Sequence, residues 1–426
     1  MLHLIKGRAG SGKTAYMRNL ISKQIDNADS KPLLIIPEQF SFESERSMLK
    51  LLGAKGLKSI DVYSFSRLAA WALKDTVKNT SIPGDGVRHA LMSEAIINLQ
   101  GRLQVFDKCY ANHGALESLV DFCKELKYCC IDEDELTAKT ELLEEGFLRN
   151  KLTEINLINS AYDALVTQSY FDDTDAVHLL YEYALENKLF SNKTVYFDGF
   201  RALSKQELQC LSVMITQADD VYVTLCCDNV RQKHSPFKYI DEFELQLRGI
   251  AKEKGVMVDE YVCQQDDCAF SKDIFTIEKN LFNNTSQPVT ESDGSVAVVK
   301  CFDIDDESQF VANEIKKLIR SGKYRCRDIA VVERSSGKYK NKIITNLQRL
   351  GVPVFDDCRR SLRFESLFIY IDSVLSCISS GFTQEGVFTY LKSGLSSLDL
   401  SQISRLEKYA LVWGINGNSW AEDFTM

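Results

Sequence analysis

A chain of 426 residues exceeds what one hydrophobic core ordinarily serves, so two or more domains are expected. With 45% hydrophobic and 26% charged residues the balance is that of a globular protein, and no run approaches the roughly 18 uninterrupted apolar residues of a membrane helix. The formal net charge of −9 argues against a generally basic nucleic-acid binder, while leaving room for a local basic groove. A signal peptide is not expected, because Gly7 to Thr14 breaks any apolar stretch after the start, and the expected setting is the cytoplasm.

The first 75 residues alternate strand and helix. LHLIKG, KPLLIIP and SIDVYSF read as short buried strands, followed by helical patterns over Lys13 to Ile25, Glu43 to Leu52 and Phe65 to Leu73. Such alternation predicts a parallel sheet with crossover helices. From 86 to 189 apolar residues recur at helical spacing (Leu116, Leu119, Val120, Cys123, Leu126), which predicts a helical insertion. Strand character returns at TVYFDGF, Thr194 to Phe200. Ser204 and Glu207 then form a capping box that opens a helix to about Ile215, and DVYVTLCC supplies a further strand. Residues 1–85 and 190–282 therefore read as one interrupted α/β domain. NNTSQPVTESDG, within 283–294, reads as a linker. SVAVVKCF, DIAVVERS and VPVFD, with helices over Asp306 to Ile319 and Lys338 to Leu350, read as a second α/β set spanning 295–364; residues 365–426 read as a truncated helical insertion.

Thirteen cysteines occur singly or as adjacent pairs, many in apolar patterns, which fits buried free thiols. Cys263 and Cys268 form a loose loop pair without a companion CxxC or histidine cluster, so no metal is assigned to cysteine.

The chemistry concentrates at GRAGSGKT. Gly7, Arg8, Ala9, Gly10, Ser11, Gly12, Lys13 and Thr14 satisfy GxxxxGK[ST], after an apolar strand and at the opening of a helix. Glycines let backbone N–H groups face a phosphate, and the helix N-terminus adds partial positive charge. Lys13 is placed to reach the β- and γ-phosphates of ATP, and the Thr14 hydroxyl to ligate Mg²⁺. Asp198, ending the strand TVYF, is the metal-holding acid such a cradle needs. Motor proteins of this kind place a glutamate next, to orient the attacking water, whereas this chain has Gly199. Glu207 is a weak substitute, since capping already explains it.

GRAGSGKT, IIPEQFSFESER, VYSFSRLAAW and YFDGFRALSKQE together resemble the AddB (RexB) family of bacterial AddAB helicase-nucleases, over essentially the whole chain. The resemblance implies a P-loop NTPase of the UvrD-like, superfamily-1 helicase fold, with two RecA-like parallel-sheet domains carrying helical insertions. It implies an ATP- and Mg²⁺-binding module acting in double-strand break repair by homologous recombination, with an AddA-like subunit and single-stranded DNA as partners. It places Pro37, Glu38, Gln39 and Phe40, and then Ser64 and Phe65, on DNA-facing loops, where an aromatic ring offers a stacking surface. For Phe40, Phe42 and Phe65 core packing is an equal alternative. Arg334 in VVERSSG matches a phosphate-contacting arginine of the second domain. An adenine-reading glutamine ahead of the P-loop is not found, and a clear glutamine sensor after DVYVTLCCD is missing, though Gln232 lies downstream. The later helicase motifs, and the nuclease with its iron-sulfur cysteines, would lie beyond this chain, which reads as an N-terminal portion or a shortened homologue. Nucleotide binding with little turnover is the leading expectation. A DNA-stimulated ATPase or small-molecule phosphotransferase, and a nucleotide-independent DNA- and protein-binding scaffold, are the alternatives.

Overall fold

The computed structural model describes residues 1–27, 31–76, 81–172, 174–228, 236–264, 270–281, 291–334, 337–356 and 362–424. Gln232, Cys268, most of the expected linker and the side chain of Phe42 lie outside the described residues. The chain divides into two units, Met1–Ala297 and Val298–Met426.

The first unit is built on six parallel strands. In chain order these are β1 (Leu2–Gly7), β2 (Leu33–Ile35), β3 (Asp61–Tyr63), β4 (Thr194–Phe197), β5 (Asp220–Cys226) and β6 (Val258–Val262), arranged β3-β2-β4-β5-β1-β6. The alternating strand and helix pattern predicts this parallel sheet, but β6 escapes it, because VDEYV is mostly exposed and carries little apolar signal. Helices α1 (Lys13–Asn27) and α2 (Ser41–Leu57) cover one face through Met17, Ile21 and Met48, packed on Ile5, Leu34 and Val62. The other face is covered by α3 (Phe65–Ala72), by the last helix of the helical insertion and by two later helices, with Leu4, Ile35, Phe197 and Val223 fully or almost fully buried between them. Each such side chain contributes about 1.5–3 kcal/mol relative to exposure.

The insertion holds α4 (Asp85–Asn98), α5 (His113–Tyr128), α6 (Glu133–Glu141), α7 (Phe147–Ser169) and α8 (Ala176–Asn187). Its own core joins α4, α5 and α7 through Met92, Ile96, Leu119, Val120, Ile158 and Tyr162. Buried Glu154 accepts the backbone N–H groups of Gln104, Val105 and Phe106, which fixes the turn between α4 and α5. The chain then resumes with α9 (Lys205–Gln217), α10 (Lys238–Glu253) and α11 (Lys272–Asn280), where α8, α9 and α10 supply the remaining cover of the sheet. The capping box of α9 forms: Glu207 N–H donates to Ser204 Oγ at 3.3 Å, and Ser204 N–H to Glu207 Oε2 at 2.7 Å.

A charged cluster within the insertion joins α4, α5, α7 and the segment that leads into α8. Lys127 Nζ lies 2.8 Å from Asp163 Oδ1, 2.7 Å from Asp172 Oδ2 and 2.7 Å from Asp175 Oδ2, and Arg88 reaches Asp172 Oδ1 at 3.0 Å. Beside it, buried Gln206 of α9 donates to the carbonyls of Lys127 (2.9 Å) and Thr174 (3.1 Å). Burial opposes ionisation of all three acids. At Asp172 the ammonium of Lys127, with Thr174 and Arg88, overcomes that penalty and holds the carboxyl at about 2, whereas Asp163 and Asp175 remain raised.

In the second unit, α12 (Ile304–Arg320) and α13 (Lys340–Arg349) pack through Ala312, Ile315, Ile343 and Leu347. Further on, α15 (Gln384–Leu391) and α16 (Leu400–Trp413) pack through Phe388, Leu391, Ile403 and Ala410, following α14 (Ser366–Ser379). The second parallel sheet expected from SVAVVKCF, DIAVVERS and VPVFD is not found: among the described residues of this unit none is in a strand. Val298, Phe302, Val332 and Phe355 are instead 96%, 95%, 91% and 88% exposed. An apolar run states only a preference for a pleated, half-buried surface; neighbouring strands must supply the ladder, and here none does. No helix among the described residues is long and apolar enough to cross a membrane.

Replacing Lys127 by Met leaves half-buried Asp163 and Asp175 without their cation and buried Asp172 with Arg88 alone, and is expected to cost about 3–5 kcal/mol at neutral pH. In the wild type, the Asp172 contribution is present above its unfolded value of about 3.9 and is lost as pH falls through the folded value. In the variant, Asp163 and Asp175 take up protons instead, so the deficit shrinks on acidification; urea unfolding of both proteins between neutral and mildly acidic pH measures it.

Candidate phosphate-binding site

The carboxyl ends of β1, β4 and β5 converge on one edge of the sheet, because parallel strands in register end together: Gly7 lies opposite Cys226 and Phe197 opposite Val223. Ligands in open α/β sheets bind at this edge. Arg8, Ala9, Gly10 and Ser11 form the loop from β1 to α1, with Gly10 and Gly12 in the left-handed region at φ +76° and +82°. At Gly7 an added Cβ would strike Ser11 Oγ and lie 2.9 Å from the carbonyl of Cys263, so only glycine fits beneath the loop.

Within this cradle Lys13 Nζ donates to the carbonyl of Arg8 at 2.7 Å. The buried Ser11 hydroxyl has no partner among the described residues. An orphaned hydroxyl beside a glycine turn and a helix N-terminus fits an anionic ligand. Cys263 lies close by on the β6 side; burial pushes its thiol up and Lys13 opposes the shift.

Thr14 Oγ1 donates to Asp198 Oδ1 at 3.2 Å, although 184 residues separate them. The same oxygen accepts the hydroxyl of Thr224 at 2.7 Å. Thr224, buried in β5 between the strands of the P-loop and of Asp198, is missed by sequence reasoning; the available signal was one hydroxyl inside the apolar run DVYVTLC. A hydroxyl and a carboxylate at hydrogen-bond distance are a hard-oxygen donor pair suited to Mg²⁺, which takes one or two protein oxygens and completes its octahedron with water and phosphate.

Gly199 adopts φ +83°, with its Cα facing Pro37 so that an added Cβ would lie 3.6 Å from Pro37 Cδ. The residue that directly follows Asp198 is therefore held in a conformation that side chains resist.

The structure separates the other expected site residues. Gln39 and Phe40 are exposed on the turn after β2, Phe40 at 48%. Ser64 is buried and caps α3, accepting Arg67 N–H at 3.4 Å. Phe65 is core: it is 4% exposed, with its ring 6.0 Å from those of Phe197 and Phe200, so no base can stack on it in this arrangement. The Glu207 carboxylate is engaged in the α9 cap. Arg8 turns its guanidinium away from the cradle, toward the carbonyls of Glu278 and Lys279. Arg334 is exposed in the second unit.

Residues 4–278 match the family described as ADDB, N-terminal. The chain is 30% identical, over 97% of its length, to the B-subunit of the ATP-dependent helicase/deoxyribonuclease of Clostridium novyi (strain NT), and 29% identical, over 99%, to the protein of the same name from Clostridium botulinum (strain Loch Maree / Type A3). A Clostridium perfringens (strain ATCC 13124) protein of that name is 27% identical over 99%. The chain spans 37–38% of the length of these relatives.

Substituting Gly199 by Ala is expected to destabilise the chain by about 1–2 kcal/mol, since a β-carbon is penalised in the left-handed region. Gly199→Asn should lose less, because asparagine tolerates that region better. Chemical unfolding of the three proteins decides the order.

Proposed function

Because the chain belongs to the family described as ADDB, N-terminal, we propose that it is the ATP- and Mg²⁺-binding, helicase-like module of an AddB-type protein, and that it binds single-stranded DNA with little ATP turnover of its own. The observation that carries the reading is the contact of Thr14 Oγ1 with Asp198 Oδ1 at 3.2 Å, across the strand that bears Thr224. A six-stranded parallel sheet with a glycine loop at its carboxyl edge fits a RecA-like domain, and the proposal extends this to a UvrD-like P-loop arrangement.

In this reading the loop N–H groups, Ser11 and Lys13 hold the phosphates of ATP, and Thr14 and Asp198 hold Mg²⁺. The bound metal would neutralise phosphate charge. Thr224 orients the Asp198 carboxylate by donating to one of its oxygens, and Gly199 supplies no side chain to align a water. Gln39 and Phe40 are the DNA-facing residues that remain exposed, while Arg334 is proposed as a phosphate contact from the second unit. The relatives are named as one subunit of a helicase/deoxyribonuclease, which supports a heteromeric assembly with an AddA-like protein in the cytoplasm, acting in DNA break repair by recombination.

Calorimetric titration with ATP·Mg is expected to show binding to the wild type. Lys13→Ala should weaken it at least about tenfold, the magnitude of a lost charge-assisted hydrogen bond. Asp198→Asn should lose the dependence on Mg²⁺. Phosphate release should stay near background with or without single-stranded DNA. Release stimulated by DNA would establish the ATPase alternative instead, and equal affinity in wild type and Lys13→Ala would sink the nucleotide reading.

A further inference from the structure

The guanidinium of Arg8 belongs to the P-loop by sequence and to α11 by contact. Its two terminal nitrogens donate to the carbonyls of Lys279 (3.1 Å) and Glu278 (2.7 Å), in the last turn of that helix, where intrahelical donors have run out. Nε pairs with Glu278 Oε1 at 3.1 Å and Asp228 Oδ1 at 3.4 Å, and the Phe237 ring lies 5.4 Å beneath the guanidinium. With both terminal nitrogens donating, the fork ties the P-loop to the last turn of α11.

The opposite end of α11 is held as closely. Asp273, 8% exposed, accepts Ser292 Oγ (2.6 Å) and the backbone N–H groups of Asp293 (3.1 Å) and Gly294 (3.0 Å). Asp293 in return accepts Lys272 N–H at 2.7 Å, and Lys272 Nζ reaches Glu291 at 2.9 Å. Residues 291–295 thus form a strap laced to the start of α11, three residues before the second unit begins at Val298.

One more contact gives this arrangement an input. The carbonyl of Arg8 accepts Lys13 Nζ at 2.7 Å and Ser11 N–H at 3.3 Å. A phosphate in the cradle competes for Lys13, so the residue that grips α11 loses one of the two donors fixing its backbone.

We propose that α11 is a lever that carries occupancy of the P-loop to the strap leading into the second unit, with Arg8 as the positioning residue at its near end and Asp273 at its far end. The input rests on the nucleotide reading above; the tether itself does not.

The test is amide hydrogen exchange on the full chain, following 272–281 and 291–297 with and without saturating ATP·Mg, beside calorimetric affinities. Without nucleotide, Arg8→Ala should raise exchange at 276–281 about tenfold, the size of a lost charge-assisted hydrogen bond, and Arg8→Lys should fall between, lacking the fork. In the wild type nucleotide should change exchange in both segments. Asp273→Ala should bind nucleotide with wild-type affinity and retain the response of α11, but lose that of 291–297; this split is one that a merely structural role would not produce. In Arg8→Ala, with nucleotide bound, neither segment should respond. A strap that still responds in either variant overturns the lever, as does unchanged exchange of α11 in Arg8→Ala. A wild type that binds ATP·Mg without any response at 291–297 overturns the lever alone. A wild type that binds none overturns both readings, and the nucleotide-free comparison then reports whether the Arg8 tether stands by itself.

Discussion

One carboxylate oxygen organises the first unit. Asp198 Oδ1 receives the hydroxyls of Thr14 and Thr224, so that three distant parts of the chain meet there: the first helix, the strand before α10 and the residue that follows β4. The contact exists only because β4, β5 and β1 are parallel neighbours in register, so that their carboxyl ends deliver side chains to a common edge. Antiparallel pairing of any one of them would send its end to the far side of the sheet. The parallel arrangement in turn requires crossover helices on both faces, and these supply the two buried layers that stabilise it.

Around that edge the chain spends glycine where another protein of this architecture would spend function. Gly7, Gly10 and Gly12 shape the loop, as a phosphate cradle demands. Gly199 is different: its left-handed backbone and the nearby Pro37 ring shape the turn after Asp198, and the PEQF turn rests against it. The absence of a side chain at 199 and the packing of a neighbouring loop are there two aspects of one backbone conformation.

Charge does the long-range joining. Lys127 with its three aspartates joins the helices of the insertion to one another, and Arg8 with Asp273 fastens α11 at both ends. In each case a buried or half-buried ion is surrounded by several partners, the arrangement that offsets desolvation and makes the geometry specific. Neither joint produces a periodic pattern in sequence, because its members come from separate elements and are spaced by topology.

The sequence by itself determined the local features. The strands LHLIKG and TVYF, the helix opening at Lys13, the Ser204 and Glu207 cap, and the helical character of the insertion all follow from hydrophobic period, glycine placement and capping chemistry, which act within a few residues. It also determined the cradle, since GRAGSGKT is contiguous. Tertiary structure decided what depends on neighbours. It placed Thr224 beside Asp198, buried Phe65 while leaving Phe40 exposed, and set the guanidinium of Arg8 on the last turn of α11. It also left the apolar segments of the second unit outside any strand, since a strand is a relation between segments and its side chains state only half of that relation.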